Sequence, residues 1–159
     1  MNKTGLFLCL ILCSSLNLMA QKGAKKQKYE ELIKASSKKL ETFYKKAMVD
    51  SIADMYSTNC FYVREFSPRL DSREDVKNKI ASDYKAGYKV LDLIFTADDY
   101  KTYNDIVWEI GTLSVKFISP TTKTTLIKKY NYNIVWKESS DKKYRIRSEI
   151  WSPIENPCK

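Results

Sequence analysis

The chain has 159 residues, of which 43% are hydrophobic and 13% aromatic, and its formal net charge at pH 7 is +9. This length and this hydrophobic content predict one folded domain and exclude a disordered chain. Because the sequence contains no histidine, catalytic triads and zinc sites that depend on histidine are excluded as well.

Residues 1–20 have the pattern of a secretory signal peptide. Lys3 is followed by an apolar run over residues 6–12 and then by small and polar residues that end at Ala20. This run is too short to span a bilayer, which takes about 20 residues. We therefore expect cleavage after Ala20 and export to the periplasm or the medium. The alternatives are a lipid anchor at Cys13, where a bulky residue precedes the cysteine instead of a small one, and retention of the uncleaved segment.

The next segment, residues 21–28, reads "QKGAKKQK" and carries lysines without any acid. A segment of this kind is usually a solvated, frayed terminus. Its charge also predicts a weak attraction to anionic membranes or polymers. Nucleic-acid binding is not expected, because no nucleic-acid-binding motif accompanies the charge. Residues 29–153 form the predicted domain, and residues 154–159 form a tail.

Two cysteines, Cys60 and Cys158, remain once the signal peptide is removed. In an oxidising compartment they could pair. A disulfide that closes so long a loop would contribute about 4–5 kcal/mol on the chain-entropy model. Two free thiols are an equally good interpretation, and no CxxC spacing indicates redox catalysis.

Three helices are predicted at the start of the domain. In the first, over residues 29–48, apolar residues recur at spacings of three and four: Leu32, Ile33, Leu40, Phe43, Tyr44 and Ala47. The second, "SIADMY", is capped by Asp50 and places Tyr56 on its apolar face. The third follows an N-cap at Ser72 and ends at Gly87.

Five strands are predicted from alternating and β-branched residues. They cover residues 60–66, 88–97, 106–118, 124–137 and 143–151, with a turn-rich link over residues 98–105. Helices that precede consecutive strands indicate an α+β fold and not βαβ units. We expect three N-terminal helices packed on a curved, mainly antiparallel sheet, with the space between them either filled or left as a pocket.

The last two strands separate their side chains into two faces. A two-residue turn at Ser140 and Asp141 gives four pairs on one face: Trp136 with Arg145, Ile134 with Arg147, Tyr132 with Glu149, and Tyr130 with Trp151. The opposite face holds Val135, Ile146 and Ile150. Tyrosine and tryptophan interleaved with charge suit a pocket lining, whereas solvated charges beside packed aromatic rings are an equally good interpretation.

The order of elements resembles the nuclear-transport-factor-2-like cone fold, in its SnoaL-like and calcium/calmodulin-dependent kinase II association-domain-like branch. The resemblance covers residues 28–153 and rests on four segments: "ELIKASSKKLETFYKKAMVDSIADMYS", "GYKVLDL", "NDIVWEIGTLSVKF" and "NIVWKESSDKKYRIRSEIWS". It implies a conical cavity between helices and sheet, and dimers formed through the outer sheet face. It also implies that Val107, Glu109, Gly111 and Leu113 face the cavity. The acids of the enzymes in the family have no clear counterpart here.

The resulting hypothesis is an exported small-ligand-binding or association module that forms a homodimer and needs neither cofactor nor metal. The predicted pocket residues are Tyr56, Glu109, Tyr132, Ile134, Trp136, Arg147, Glu149 and Trp151. We expect Arg147 to contact at least one of the two acids, because an unpaired buried charge costs several kcal/mol.

The alternative is an acid/base enzyme, isomerase-like or lyase-like, that acts on a small apolar or acidic ligand. Its candidate catalytic acids are Glu109 and Glu149, since an apolar pocket raises a carboxyl pKa. Arg147 would bind an anion and Tyr132 would donate a hydrogen bond. A simpler interpretation pairs Glu149 with Arg147 and places Glu109 at a rim. A third hypothesis is binding of anionic surface polymers by the lysines.

Overall fold

The computed structural model describes residues 27–65 and 67–154. The chain divides into two compact units, Met1–Leu32 and Ile33–Lys159. In the first unit, residues 27–32 are helical, and Gln27 Nε2 donates a hydrogen bond to Glu31 Oε1 at 3.3 Å. The second unit contains all the elements discussed below. The predicted signal peptide and Cys158 lie outside the described residues.

Three helices belong to the second unit: α1 over residues 33–45, α2 over Val49–Asp54 and α3 over Arg73–Lys85. The buried side of α1 repeats at helical spacing through Ile33, Ser37, Leu40, Glu41 and Tyr44. The predicted face was right in part. Leu32 is exposed, and Ala47 lies after the helix with a positive φ of 53°.

Helix α3 begins and ends close to the residues that the sequence predicted. Ser72 Oγ accepts a hydrogen bond from the Asp75 backbone N–H at 3.1 Å, which satisfies a free donor of the first turn. Gly87 has a φ of 95°, a backbone conformation that favours glycine. The predicted cap of α2 was wrong, because Met48 occupies the N-cap and Asp50 lies inside the first turn.

The helices pack on a five-stranded mixed sheet with the order β1-β5-β4-β3-β2. The strands are β1 Tyr56–Val63, β2 Lys89–Tyr103, β3 Ile106–Ile118, β4 Thr125–Glu138 and β5 Tyr144–Pro153. β1 pairs with β5 in parallel, and the other neighbours are antiparallel. Tyr56 therefore opens β1, and its predicted place on the second helix was wrong.

The antiparallel pairing of β2 with β3 is interrupted in the second half of β2. A β-bulge lies between Ala97 and Asp99, and β2 continues through the predicted link to Tyr103. Gly111 of β3 faces this bulge. A Cβ atom there would lie 2.1 Å from the carbonyl oxygen of Thr96, so only glycine allows the strands to approach this closely.

The last hairpin differs from its predicted register in two places. Its loop is one residue longer than assumed, because Ser139 N–H donates to Lys143 O at 2.8 Å and Lys142 adopts a φ of 63°. A second shift follows in β5, where Trp136 pairs with Ile146 but Val135 pairs with Ser148. This bulge leaves Arg147 exposed and turns Ile146 into the core. The predicted faces of Arg147 and Ile146 were therefore wrong.

Candidate ligand-binding site

Glu149 of β5 is a fully buried acid on the inner face of the sheet. It accepts hydrogen bonds from the hydroxyl of Tyr56 and from Trp151 Nε1, the latter at 2.8 Å. Burial raises its pKa from the ordinary value of 4.5 to about 7, and the nearby Glu109 acts in the same direction. Near neutral pH this carboxyl group therefore exists both with and without its proton.

Glu109 of β3 is a second acid with only 1% of its surface exposed. Trp136 Nε1 donates to it at 2.6 Å and the Tyr132 hydroxyl at 2.9 Å, with longer contacts from Ser37 at 3.4 Å and Tyr100 at 3.5 Å. Burial raises its pKa above the ordinary value, while these donors oppose the rise. A carboxylate accepts about four hydrogen bonds, so the donors use the acceptor capacity of Glu109.

The two acids lie in one row across the sheet. Glu109 pairs with Ile134, and Ile134 pairs with Glu149. One strand separates the acids, so their backbones are about 10 Å apart. Within the described residues no ion pair joins either acid to a cation, and Arg147 is exposed on β5. The expected contact between Arg147 and an acid was wrong, because aromatic and hydroxyl donors satisfy both carboxyl groups.

A small cavity lies between the inner sheet face, α1 and α3. Its volume is about 30 Å³, room for about two water molecules. Five of its twelve lining residues are aromatic, and Tyr62 meets Trp151 edge to face at 5.5 Å between ring centroids. The charged lining residues are Arg64, Lys79 and Asp83.

The cavity adjoins a groove of about 400 Å³ at the ends of β3 and β4. Four residues line both spaces: Arg64, Tyr88, Val115 and Trp151. In the groove, Tyr88 stacks on Phe117 at 4.5 Å, and Tyr130 lies 5.6 Å from Trp151 between ring centroids. Ligand pockets are typically about 300–1,000 Å³. Cavity and groove together therefore form a site of suitable size, called here the aromatic mouth.

A separate cleft of about 290 Å³ lies beside α1 and reaches Glu109. Lys34 lies over the ring of Tyr100 at 5.6 Å, and Lys38 forms an ion pair with Glu41 at 2.6 Å. Glu41 also accepts a hydrogen bond from Phe95 N–H at 3.1 Å, which ties α1 to the edge strand β2. Through these contacts Lys34, Lys38 and Glu41 stabilise the packing of α1 on the sheet.

The fold matches solved structures over most of the domain. One is a ketosteroid isomerase-like protein from Erwinia carotovora, with a TM-score of 0.69 and 12% identity, covering 79% of this chain and 96% of that chain. An NTF2-like protein from Cytophaga hutchinsonii has a TM-score of 0.64 and 18% identity, covering 79% and 98%. A protein from Xanthomonas campestris described as a calcium/calmodulin-dependent protein kinase II association domain has a TM-score of 0.62 and 14% identity, covering 81% and 87%.

The chain has the nuclear-transport-factor-2-like cone fold. The fold predicted from the sequence is thereby confirmed, and at these low identities the likeness extends to the fold alone. No protein-family model matches the chain, and no curated protein matches it.

Within this NTF2-like fold, most of the predicted pocket residues are buried inside the domain. Tyr56, Tyr132, Ile134, Trp136, Glu109, Glu149 and Trp151 share the interior, and Arg147 does not. Trp151 lines the aromatic mouth, and Glu109 lines the cleft beside α1. A role of these residues in ligand binding stays a prediction.

Sequence reasoning missed the residues at the mouth, above all Arg64, Tyr62 and Tyr88. The signal was present for two of them. In the segment "CFYVREF" strict alternation places Cys60, Tyr62 and Arg64 on one side, and Cys60 and Tyr62 are indeed buried. The same alternation brings Arg64 to the cavity, where it pairs with Asp83.

Metal and membrane sites receive no support from the described part of the chain. It contains no group of three or more acidic or cysteine side chains arranged to hold a metal ion. None of its helices is long and apolar enough to cross a membrane. Within residues 27–65 and 67–154, Cys60 is buried and has no disulfide partner. The predicted pairing of Cys60 with Cys158 involves a residue outside those ranges.

Proposed function

We propose that this protein is an exported, homodimeric module that binds a small, largely apolar molecule without transforming it. The observation that supports this proposal best is the aromatic mouth, where a small cavity adjoins a groove of ligand size. The N-terminal signal pattern motivates the export, and the chemistry of the outer sheet face motivates the dimer.

The walls of the mouth favour apolar contacts. Trp151 donates its only N–H to Glu149 at 2.8 Å, so it can offer a ligand nothing but its ring. The rings of Tyr62 and Tyr130 both pack against the Trp151 indole. Rings fixed in this way provide a large contact area at little cost in conformational entropy, as binding sites for planar molecules do.

The position of Glu149 favours binding over catalysis by this acid at the mouth. Glu149 has the pKa of a general base, but it is fully buried behind Tyr56 and Trp151. A general base must lie within hydrogen-bond reach of the proton that it removes, about 2.6–3.2 Å or one water away. The charged residues that line the cavity are Arg64, Lys79 and Asp83, and Glu149 is not one of them.

Binding can be tested with the neutral fluorescent probe N-phenyl-1-naphthylamine. We expect its fluorescence to rise on binding to the protein. Tyr88→Ala should weaken the binding about tenfold, because the variant removes a ring that lines both cavity and groove. Tyr103→Ala is the control, since Tyr103 is 76% exposed on β2. Equal binding by both variants, or no binding by the protein, would contradict the proposal.

The outer sheet face has the composition of a subunit interface. Trp108 and Ile150 are each 40% exposed there, beside the half-buried Val135. Asn133 accepts a hydrogen bond from Trp108 Nε1 at 2.7 Å. Lys101 lies over the Trp108 ring at 5.4 Å, whereas Val135, Asn133 and Ile150 are uncharged and could pack against a second copy of this strongly cationic chain. The likeness to a protein described as an association domain points in the same direction.

Light scattering at micromolar concentration tests the dimer. We expect dimer mass for the protein and monomer mass for Trp108→Glu, because a charge buried against the second copy is costly. Met48→Glu is the matched control, since Met48 is also 40% exposed but precedes α2 on the helical side. Monomer mass for the unchanged protein would contradict the dimer.

Export is tested separately by the intact mass of the exported product. Cleavage after Ala20 predicts a product that begins at Gln21. A product that begins at a lipid-modified Cys13 would replace this part of the proposal with an anchored protein.

A further inference from the structure

We propose that the aromatic mouth binds a planar aromatic carboxylic acid and that Arg64 binds its carboxylate. The inference rests on the proposed ligand-binding function and names the class of ligand. Three features of the mouth support it: the position of one arginine, the local balance of charge, and the shape and chemistry of the walls.

Arg64 follows β1 and lines both the cavity and the groove. Its side chain is 26% exposed, so it is shielded from bulk water while one part stays accessible. Nη2 donates to Asp83 Oδ2 at 2.8 Å, and within the described residues the other guanidinium nitrogens have no hydrogen-bond partner. A guanidinium has five N–H donors arranged to match a carboxylate, so Arg64 can bind a second acid.

Positive charge exceeds negative charge around this arginine. Asp83 is shared between Arg64 and Lys79, whose ammonium group also contacts it. Along the groove, Lys128 lies 3.6 Å from Glu65. Among the lining residues, Arg64, Lys79 and Lys128 are therefore opposed by Asp83 and Glu65, while Glu149 lies behind Trp151 and outside the lining. An added carboxylate would balance the charge of the site, and the net charge of the whole protein favours its approach.

The walls of the mouth select a planar, apolar body for that acid. The Trp151 indole N–H is held by Glu149, and Tyr88 is stacked on Phe117. The ring surfaces that remain lie next to Val115, and the polar residues Glu65, Ser67, Ser119 and Lys128 line the groove beside them. A planar aromatic ring would pack on these ring surfaces.

Isothermal titration calorimetry with two probes of one shape tests the inference. The probes are 2-naphthoate, which is anionic at pH 7.5, and 2-naphthamide, which is neutral. We expect Arg64→Met to weaken 2-naphthoate binding about tenfold or more, since it removes a charge-assisted contact. The same variant should leave 2-naphthamide binding within about twofold. Arg147→Met makes the same change in charge at an exposed position outside the mouth and should leave both affinities unchanged.

A second variant keeps the test valid should Arg64→Met fold poorly. Asp83→Asn removes the acid that competes for Arg64, so it should tighten 2-naphthoate binding by about threefold. If both probes bind and neither variant separates them, the inference is wrong and the proposed ligand-binding function stands. If neither probe binds the unchanged protein and N-phenyl-1-naphthylamine also fails to bind, the proposed function is wrong as well.

Discussion

The buried acid Glu149 should make the protein less stable as the pH rises, and Glu149→Gln should remove most of that effect. Glutamine keeps the size of the side chain and an oxygen that accepts a hydrogen bond from Trp151 or Tyr56. It cannot ionise. The substitution therefore separates the cost of a buried negative charge from the packing of the side chain.

The direction and the size of the effect follow from the pKa of Glu149. Burial raises it from 4.5 to about 7. Between these pH values the folded chain keeps a proton that the unfolded chain has lost, so the free energy of unfolding falls as the pH rises through this window. One pKa unit corresponds to about 1.4 kcal/mol, so the loss reaches about 3 kcal/mol by pH 8.

The absence of histidine makes this titration easy to isolate. Ordinary carboxyl groups finish titrating below about pH 5.5, and no imidazole titrates above it. Glu109 contributes in the same direction, because burial also raises its pKa. The part of any decline in stability between pH 5.5 and 8 that Glu149→Gln removes is the contribution of Glu149.

Urea unfolding at closely spaced pH values between 5 and 8.5 provides the measurement. At pH 5 we expect Glu149→Gln to be within about 1 kcal/mol of the unchanged protein, the size of one imperfect hydrogen bond. At pH 8 it should be more stable by about 2–3 kcal/mol. Glu74→Gln, on the exposed side of α3, is the matched control. Parallel curves for the protein and Glu149→Gln would refute the reasoning.

Three further substitutions test the fold by urea unfolding. Gly111→Ala should destabilise the protein by about 3 kcal/mol or prevent folding, because its Cβ would lie 2.1 Å from a backbone carbonyl oxygen of β2. Near-normal stability of this variant would contradict the close approach of β2 and β3. Ser72→Ala should cost about 1 kcal/mol through loss of the N-cap of α3, and Ser72→Asn, whose amide can both accept from the Asp75 N–H and donate to the Asp75 carboxylate, should restore it, whereas equal stability of both variants would count against the cap. Trp136→Phe should cost about 2–3 kcal/mol, since it removes a donor from Glu109 and part of a fully buried ring, and an unchanged midpoint would contradict that contact.

The order of the elements could be predicted because the signals that define it are local. The Ser72 cap, the Gly87 stop and the thirteen-residue strand over Ile106–Ile118 each depend on neighbouring residues. Which face of β3 points inward was implied by the resemblance to the cone fold and not by the strand's own pattern, and Glu109 is buried on that face.

The position of Arg147 could not be predicted from alternation. Strict alternation would place Arg147 on the same side as Glu149 and Trp151, and it would leave Ile146 outside. The bulge at this point buries Ile146 and leaves Arg147 in solvent. Burying the isoleucine contributes about 2 kcal/mol, and keeping the arginine hydrated avoids a desolvation cost of several kcal/mol. These gains come from the tertiary packing of β4 and β5, which the sequence of one strand does not reveal.

The exposure of Arg147 leaves the two buried acids without the cation that was expected to pair with them. Neither Glu109 nor Glu149 is paired with a cation in the described part of the chain, so their carboxyl groups depend on donors from aromatic side chains. Those bonds hold the polar edges of Trp136 and Trp151 against the acids. The acids thus fix the orientation of the rings, which otherwise would have several rotamers.

Arg64 and the two buried acids therefore lie in different parts of the domain, and each contacts a different kind of group. Arg64 lies at the accessible mouth, where a guanidinium keeps donors for a ligand, and Glu149 lies behind the ring of Trp151, whose N–H it holds. On this arrangement Trp151→Phe would leave the apolar wall in place but remove one donor from Glu149. The pKa of Glu149 should then rise further, because a hydrogen bond to the ionised form is lost. The decline of stability with pH should move to higher pH in this variant, while 2-naphthoate still binds; loss of binding without any shift in the pH profile would place Trp151 in direct polar contact with the ligand.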